Sequence, residues 1–279
     1  MDNRSISDND RTDRQACGAR SAADDPGPCI LAVETSGRHG SVALAVGPKL
    51  LGQTRFTGPM RHSAELFPAV QRLVSEFGKT PTDIRQVYIS AGPGSFTGLR
   101  IAVTLAKMMH LTNAAKIVAL STLDVIAANT ADYTDPQRAD IRKIAAVLDA
   151  KRGQFYTAVY QRTAPDHDHH PTTEPVVPDA DGRIWKKIVP DCLTTASQFL
   201  DRFADESDPL WLLGEGLLYY KDKFDAPGIR FFGPEFWNPD AEKVYIIGRQ
   251  MAEKDLFADP LDLVPNYLRG PDARPMKTS

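Results

Sequence analysis

The sequence predicts an α/β protein built from two copies of one α/β unit. An apolar strand ending in a carboxylate, Ile30-Leu31-Ala32-Val33-Glu34, turns through small residues to Gly40 and returns as Ser41 to Val46. The same pattern recurs as Ile144 to Asp149, Gly153 and Phe155 to Tyr160, as expected of a duplicated unit. Each half also carries a strand that runs into glycines and then a helix, at Gly92 to Gly98 in the first and at Gly214-Glu215-Gly216 in the second.

The elements follow in order. Residues 1–28 hold almost no large apolar side chains and are expected to be a disordered extension. A hairpin then feeds a third strand, Lys49 to Phe56, across a Gly47-Pro48 turn. Leu66, Phe67, Val70, Leu73, Val74 and Phe77 recur at helical spacing and predict a helix over 64–77, with Pro68 in its first turns. A short strand, Val87 to Ala91, leads through the glycine loop to a helix over 99–111, a strand at Ile117 to Leu120, and a helix capped by Ser121. These make a first subdomain of 29–130. The second, 140–269, repeats the hairpin and includes a polar excursion at 162–190. It continues with a helix from Thr194 or Thr195, a strand at Leu210 to Leu213, a helix near Pro239 to Ala252 and a closing segment Leu263 to Arg269. Residues 270–279 are expected to be a disordered tail.

Composition excludes several classes. The chain has 279 residues, of which 42% are hydrophobic and 25% charged, ample for a large core. Its 33 Lys and Arg against 36 Asp and Glu give a net charge of -3, without the basic excess of a stand-alone nucleic-acid binder. Cys17, Cys29 and Cys192 form no C-x-x-C pair, so a reducing cytoplasm is expected and a disulfide framework or zinc knuckle is not. No apolar leader or membrane-spanning run is present, which points away from export and membranes.

Candidate chemistry lies at the strand ends. Glycines between a strand and a helix let backbone N–H groups approach an anion, or simply let helix and strand pack closely. The block lacks the lysine of a P-loop, and Gly-Ser-x-x-Gly is not a nucleophile elbow. Glu34 and Asp149 end equivalent strands, where they would either face each other to hold Mg²⁺ or cap their own turns. Ser36, Gly92, Gly94, Ser95, Thr97, Gly98, Gly214 and Gly216 complete this candidate nucleotide set. His62 has Leu66 one turn later, not a second ligand, so no metal site is expected. The two first-half helices are richer in apolar residues than one buried stripe requires, which suggests either a partner face or a thick core.

Several blocks together carry a family resemblance: Ile30-Leu31-Ala32-Val33-Glu34-Thr35-Ser36, Ala91 to Ile101 (AGPGSFTGLRI), Ser121-Thr122-Leu123, Leu148 to Tyr156 (LDAKRGQFY) and Pro265-Asn266-Tyr267-Leu268-Arg269. The chain resembles the TsaB (YeaZ) family over about residues 29–269. The resemblance implies an actin-like, sugar-kinase-like fold of two duplicated subdomains. It also implies a cytoplasmic role in tRNA N6-threonylcarbamoyladenosine synthesis, in which members act with a catalytic paralogue, TsaD, and an ATPase, TsaE. On this reading the chain is a non-catalytic scaffold that needs no cofactor of its own, with ATP and Mg²⁺ at a vestigial site or in the complex. It reaches tRNA through partners, and it pairs with TsaD or, alone, with itself. The implied interface lies on helices 64–77 and 99–111, and the candidate residues are His62, Leu66, Phe67, Val70, Val74, Leu105, Met108 and Met109. Leu66 stands where the catalytic paralogue has a second metal-binding histidine, which argues against catalysis here. The alternatives are an independent actin-like ATPase and, third, a peptidase.

Overall fold

The computed structural model describes residues 26–59, 61–136, 140–163, 177–178 and 184–269. The expectations for residues 1–25, for most of 164–183 and for 270–279 lie outside the described residues.

The first sheet starts as a meander of β1 (Cys29–Glu34), β2 (Ser41–Val46) and β3 (Lys49–Arg55), all antiparallel. Strands β4 (Ile84–Gly92) and β5 (Lys116–Ser121) add in parallel on the other side of β1, so the order is β3-β2-β1-β4-β5. Parallel neighbours need a crossover. Helix α1 (His62–Glu76) carries the chain from β3 to β4, and α2 (Phe96–Asn113) carries it from β4 to β5.

The second half repeats the scheme. Strands β6 (Lys143–Asp149), β7 (Gln154–Thr163) and β9 (Ile184–Thr195) form the antiparallel part, and β10 (Leu210–Leu213) and β11 (Ile229–Phe231) add in parallel. The order β11-β10-β6-β7-β9 is the first sheet's order read from its other edge, with the short β8 (Val177–Pro178) added outside β9. Helices α4 (Ala196–Phe203) and α5 (Leu217–Tyr220) stand where α1 and α2 stand in the first half. The duplicated α/β arrangement is therefore present strand for strand. It extends to backbone conformation: Gly92 and Gly214, at the matching ends of β4 and β10, have φ of 123° and 122°, a region that a side chain strongly disfavours.

The period-two alternation of strands splits the first sheet's core. Leu31, Val33, Leu44, Val87 and Ile89 pack under α1 and α2. Ile30, Ala32, Ala43, Tyr88 and Val118 face the other way and join a second cluster with the second sheet. Between the sheets lie α3 (Thr122–Ala127), wholly buried, and α6 (Ala241–Glu253). Although α6 follows the second sheet in the chain, it covers β1, β2, β4 and β5 of the first, and Gly248 is needed there because a Cβ would lie 2.5 Å from the Tyr88 ring. A cut at about residue 140 therefore divides the sheets but not the packing. The final segment also returns to the first half, where Ala258 bridges Ile117 and Leu263 enters the core.

Two expectations need correction. Helix α1 starts at His62 and runs through Pro68, which sits on the exposed face. The polar excursion is shorter than 162–190, because β7 runs to Thr163 and β9 begins at Ile184, burying Trp185 and Val189 while Lys186, Ile188 and Pro190 between and beyond them stay exposed.

Candidate functional site

A cleft of about 520 Å³ lies between the halves, lined on one side by Ser36, Gly94, Ser95 and Thr97 and on the other by Asp149 and Glu215. Gly92, Gly98, Gly214, Gly216 and Glu34, also nominated from sequence, are not part of its wall.

The glycine block is folded onto the end of β1. Ser95 donates its N–H to the Ser36 carbonyl at 2.7 Å, and Thr35 donates its hydroxyl to the Gly98 carbonyl at 2.8 Å. Ser95 Oγ caps α2 by accepting the Gly98 N–H at 3.3 Å. A Cβ on Gly94 would stand 2.6 Å from the Ser36 carbonyl oxygen, and Gly92 is pressed against Asn266. In the second half Gly214 and Gly216 pack against Val147 in the same manner. These glycines serve close packing of strand, turn and helix. The N–H groups of Ser95 and Gly98 are both spent inside the chain.

The two carboxylates repeat one pattern, and it is not a facing pair. Glu34 is fully buried; its Oε1 accepts the backbone N–H and the hydroxyl of Ser36, each at 2.5 Å, and its Oε2 accepts the Ser90 hydroxyl. Burial raises its pKa, against the pull of the Ser36 and Ser90 bonds. Asp149 accepts the Lys151 N–H at 2.7 Å and the Lys151 ammonium at 2.8 Å. Each acid caps the turn two residues ahead, and a Mg²⁺ site shared between Glu34 and Asp149 is not built.

Glu215 was not singled out from sequence, although a carboxylate between two glycines at a strand end is a visible signal. It accepts the Arg38 N–H at 2.9 and 3.0 Å through its two oxygens, and the His39 N–H as well. Burial first, and the nearby Glu34 charge, push its pKa up to about 7, against the N–H bonds and the Arg38 charge. A carboxyl group that holds its proton more tightly folded than unfolded makes the unfolded chain the less protonated state. Stability therefore falls as pH rises from about 4.5 to about 7, by about 3 kcal/mol over the window. Glu215→Gln is expected to flatten that slope in melting temperature against pH; an unchanged slope would refute the assignment.

His62 is buried rather than offered to a partner or metal. Its Nε2–H donates to the Gly37 carbonyl at 3.0 Å, while Nδ1, beneath Gly40, has no partner; burial lowers its pKa. Among the described residues no group of three His, Cys, Asp or Glu side chains is placed to hold a metal ion, and no helix is long and apolar enough to cross a membrane.

The interface residues nominated from sequence separate by exposure. Leu66, Val70, Val74 and Leu105 lie inside the first-half core, as does His62, because the spacing that marks a helix's apolar stripe selects the face turned to its own sheet. Met109 is partly buried against that core. Phe67, 49% exposed, and Met108, 48% exposed, remain outside, joined by Leu111 at 82%, which was not nominated.

The closing segment borders the cleft. Asn266 donates its N–H to the Ala91 carbonyl at 2.7 Å, and the Tyr267 ring lies 5.3 Å from Phe96. Arg100 stacks on Phe96 and donates to the Tyr267 hydroxyl at 3.1 Å. Arg269 then donates to the Ala150 carbonyl at 2.7 Å, so this segment ties the first half to the β6–β7 turn of the second.

Residues 59–173 match the family model described as TsaD, tRNA N6-adenosine threonylcarbamoyltransferase. The tRNA threonylcarbamoyladenosine biosynthesis protein TsaB of Bacillus subtilis (strain 168) is 28% identical over 243 residues, 86% of this chain and 93% of that protein. Its namesake from Escherichia coli (strain K12) is 31% identical over 148 residues, 53% of this chain and 62% of that protein. Among solved structures, YeaZ from Pseudomonas aeruginosa aligns with a TM-score of 0.66 at 20% identity, covering 86% of this chain and all of that one. A Pseudomonas aeruginosa protein described as similar to peptidase YeaZ aligns with a TM-score of 0.68 at 21% identity, covering 87% of this chain and all of that one.

Proposed function

This chain is a homologue of the TsaB proteins over most of its length, and on that footing we propose that it serves tRNA N6-threonylcarbamoyladenosine synthesis as a non-catalytic scaffold paired with TsaD. The observation that carries the pairing is the exposure of Phe67, Met108 and Leu111 on the two helices that cover the first sheet. Single exposed apolar side chains are ordinary, but several on two neighbouring helices favour a protein partner. Support for a non-catalytic role is chemical. Glu34 and Asp149 are committed to their own turns, His62 to the Gly37 carbonyl, and Leu66 is buried where a second histidine would be needed. Ser95, the one serine a peptidase reading would use, is spent as a helix cap. The net charge of -3 fits tRNA held mainly by the partners.

The test is genetic with a chemical readout. Cells depleted of this chain are expected to lose threonylcarbamoyladenosine from tRNA, measured by mass spectrometry of nucleosides. Wild type and an Asp149→Asn chain are both expected to restore it. Normal modification in depleted cells would end the proposal, and failure of a folded Asp149→Asn chain would favour chemistry in the cleft instead.

A further inference from the structure

Glu215 belongs to the second half by its backbone and to the first by its bonds. Gly214 and Gly216 on either side are packed against Val147 of β6, which fixes the residue to the second sheet. Its carboxyl group crosses the cleft to the turn between β1 and β2, where the N–H groups of Arg38 and His39 donate to it. The fit is close, since a Cβ on Gly37 would stand 2.8 Å from Glu215 Oε1 and 3.0 Å from Pro239. Opening the cleft therefore strips these bonds from the carboxyl group and gives it water in exchange.

We propose that Glu215 is a latch: carried by the second half and seated on backbone N–H groups of the first, it holds the cleft shut, and its release lets the two walls part. The inference does not depend on the scaffold reading. The groups around the latch set the direction in which protons act on it. Glu34 lies behind the turn, and Arg38 and His39 form it; Asp149 and Lys151 face it from the other wall already bound to each other, and Tyr219 takes the Arg38 guanidinium over its ring at 5.3 Å. Burial dominates this set, so the shut cleft favours the neutral acid, whereas an open cleft returns Glu215 to ordinary carboxylate behaviour. The shut form thus takes up a proton relative to the open one, and raising pH through neutrality favours opening. The movement is limited, because the shared core around α3 and α6 and the Arg269 tie stay in place.

Two readouts test this on the full chain. The first is protection of the Arg38 and His39 amides against hydrogen exchange, followed by NMR. Glu215→Ala is expected to lower both protection factors by about tenfold or more, while Glu215→Gln, which keeps a carbonyl acceptor, retains them. The second is the distance between nitroxides at Ser63→Cys and Asp222→Cys, exposed sites in opposite halves, in a Cys17→Ser and Cys192→Ser background. A longer component is expected to grow between about pH 6 and about pH 8 in wild type, to be present at both values in Glu215→Ala, and to be absent at both in Glu215→Gln. Unchanged protection in a folded Glu215→Ala chain, or a wild-type distance that ignores pH, would overturn the latch.

Discussion

A Gly98→Ala chain is expected to lose about 4 kcal/mol of stability or to fail to fold, although the substitution adds one methyl group inside a helix. In an ordinary helix interior the same change stabilises by up to about 1 kcal/mol. Position 98 reverses the sign because an added Cβ would stand 1.8 Å from the Thr35 carbonyl oxygen, inside any permitted contact. The obstacle is backbone, so no side chain can rotate away. Relief requires parting the first turn of α2 from the end of β1, which breaks the Thr35 bond to the Gly98 carbonyl and the Ser95 bond to the Ser36 carbonyl. Urea unfolding, or its absence because no folded protein is recovered, reads the effect. A Gly98→Ala chain with wild-type stability would show that this junction is not as tight as described.

The second large effect concerns association. On the proposed pairing with TsaD, the double change Phe67→Glu with Met108→Glu is expected to weaken association by about 100-fold or more while leaving the fold intact, since both side chains are about half exposed. Val70→Glu and Leu105→Glu are expected to behave differently. Val70 is 4% and Leu105 1% exposed, so either change puts an unpaired carboxylate into the apolar cluster that also holds Leu66, Leu73 and Ala102 and costs several kcal/mol of folding. Light scattering of mixed, purified proteins with circular dichroism of each variant separates the two cases. A folded double variant that binds TsaD like wild type would move the interface elsewhere.

The contrast between these pairs shows what a sequence discloses and what it withholds. Helical spacing found α1 and α2, because burial against a sheet imposes that spacing on any amphipathic helix. The same logic made Val70 and Leu105 look like interface residues, since an apolar stripe announces burial without naming what buries it. Alternation and the repeated carboxylate disclosed the duplication, and the structure carries it down to the matching φ of Gly92 and Gly214. The cleft was half legible. Ser36, Gly94, Ser95, Thr97 and Asp149 line it as nominated, but Glu34 points into the protein, because a strand end two residues before a serine offers a hydroxyl and an N–H at hand. The pairings of Glu215 and Arg269, though not the residues themselves, were out of reach for another reason: their partners are separated by 177 residues in one case and 119 in the other, and no local pattern encodes such pairings.

The position of α6 also bears on how the molecule is made. Ile30, Ala32, Ala43, Tyr88 and Val118 form a greasy face on the first sheet that α6 helps to cover, yet α6 is translated after every strand of both sheets. A nascent chain therefore carries the first sheet with one side bare for most of its synthesis. Vectorial folding of the first half as a finished unit is not available to this topology, so the window before residues 241–253 emerge is when chaperone capture or misassembly between chains on one polysome has its opening.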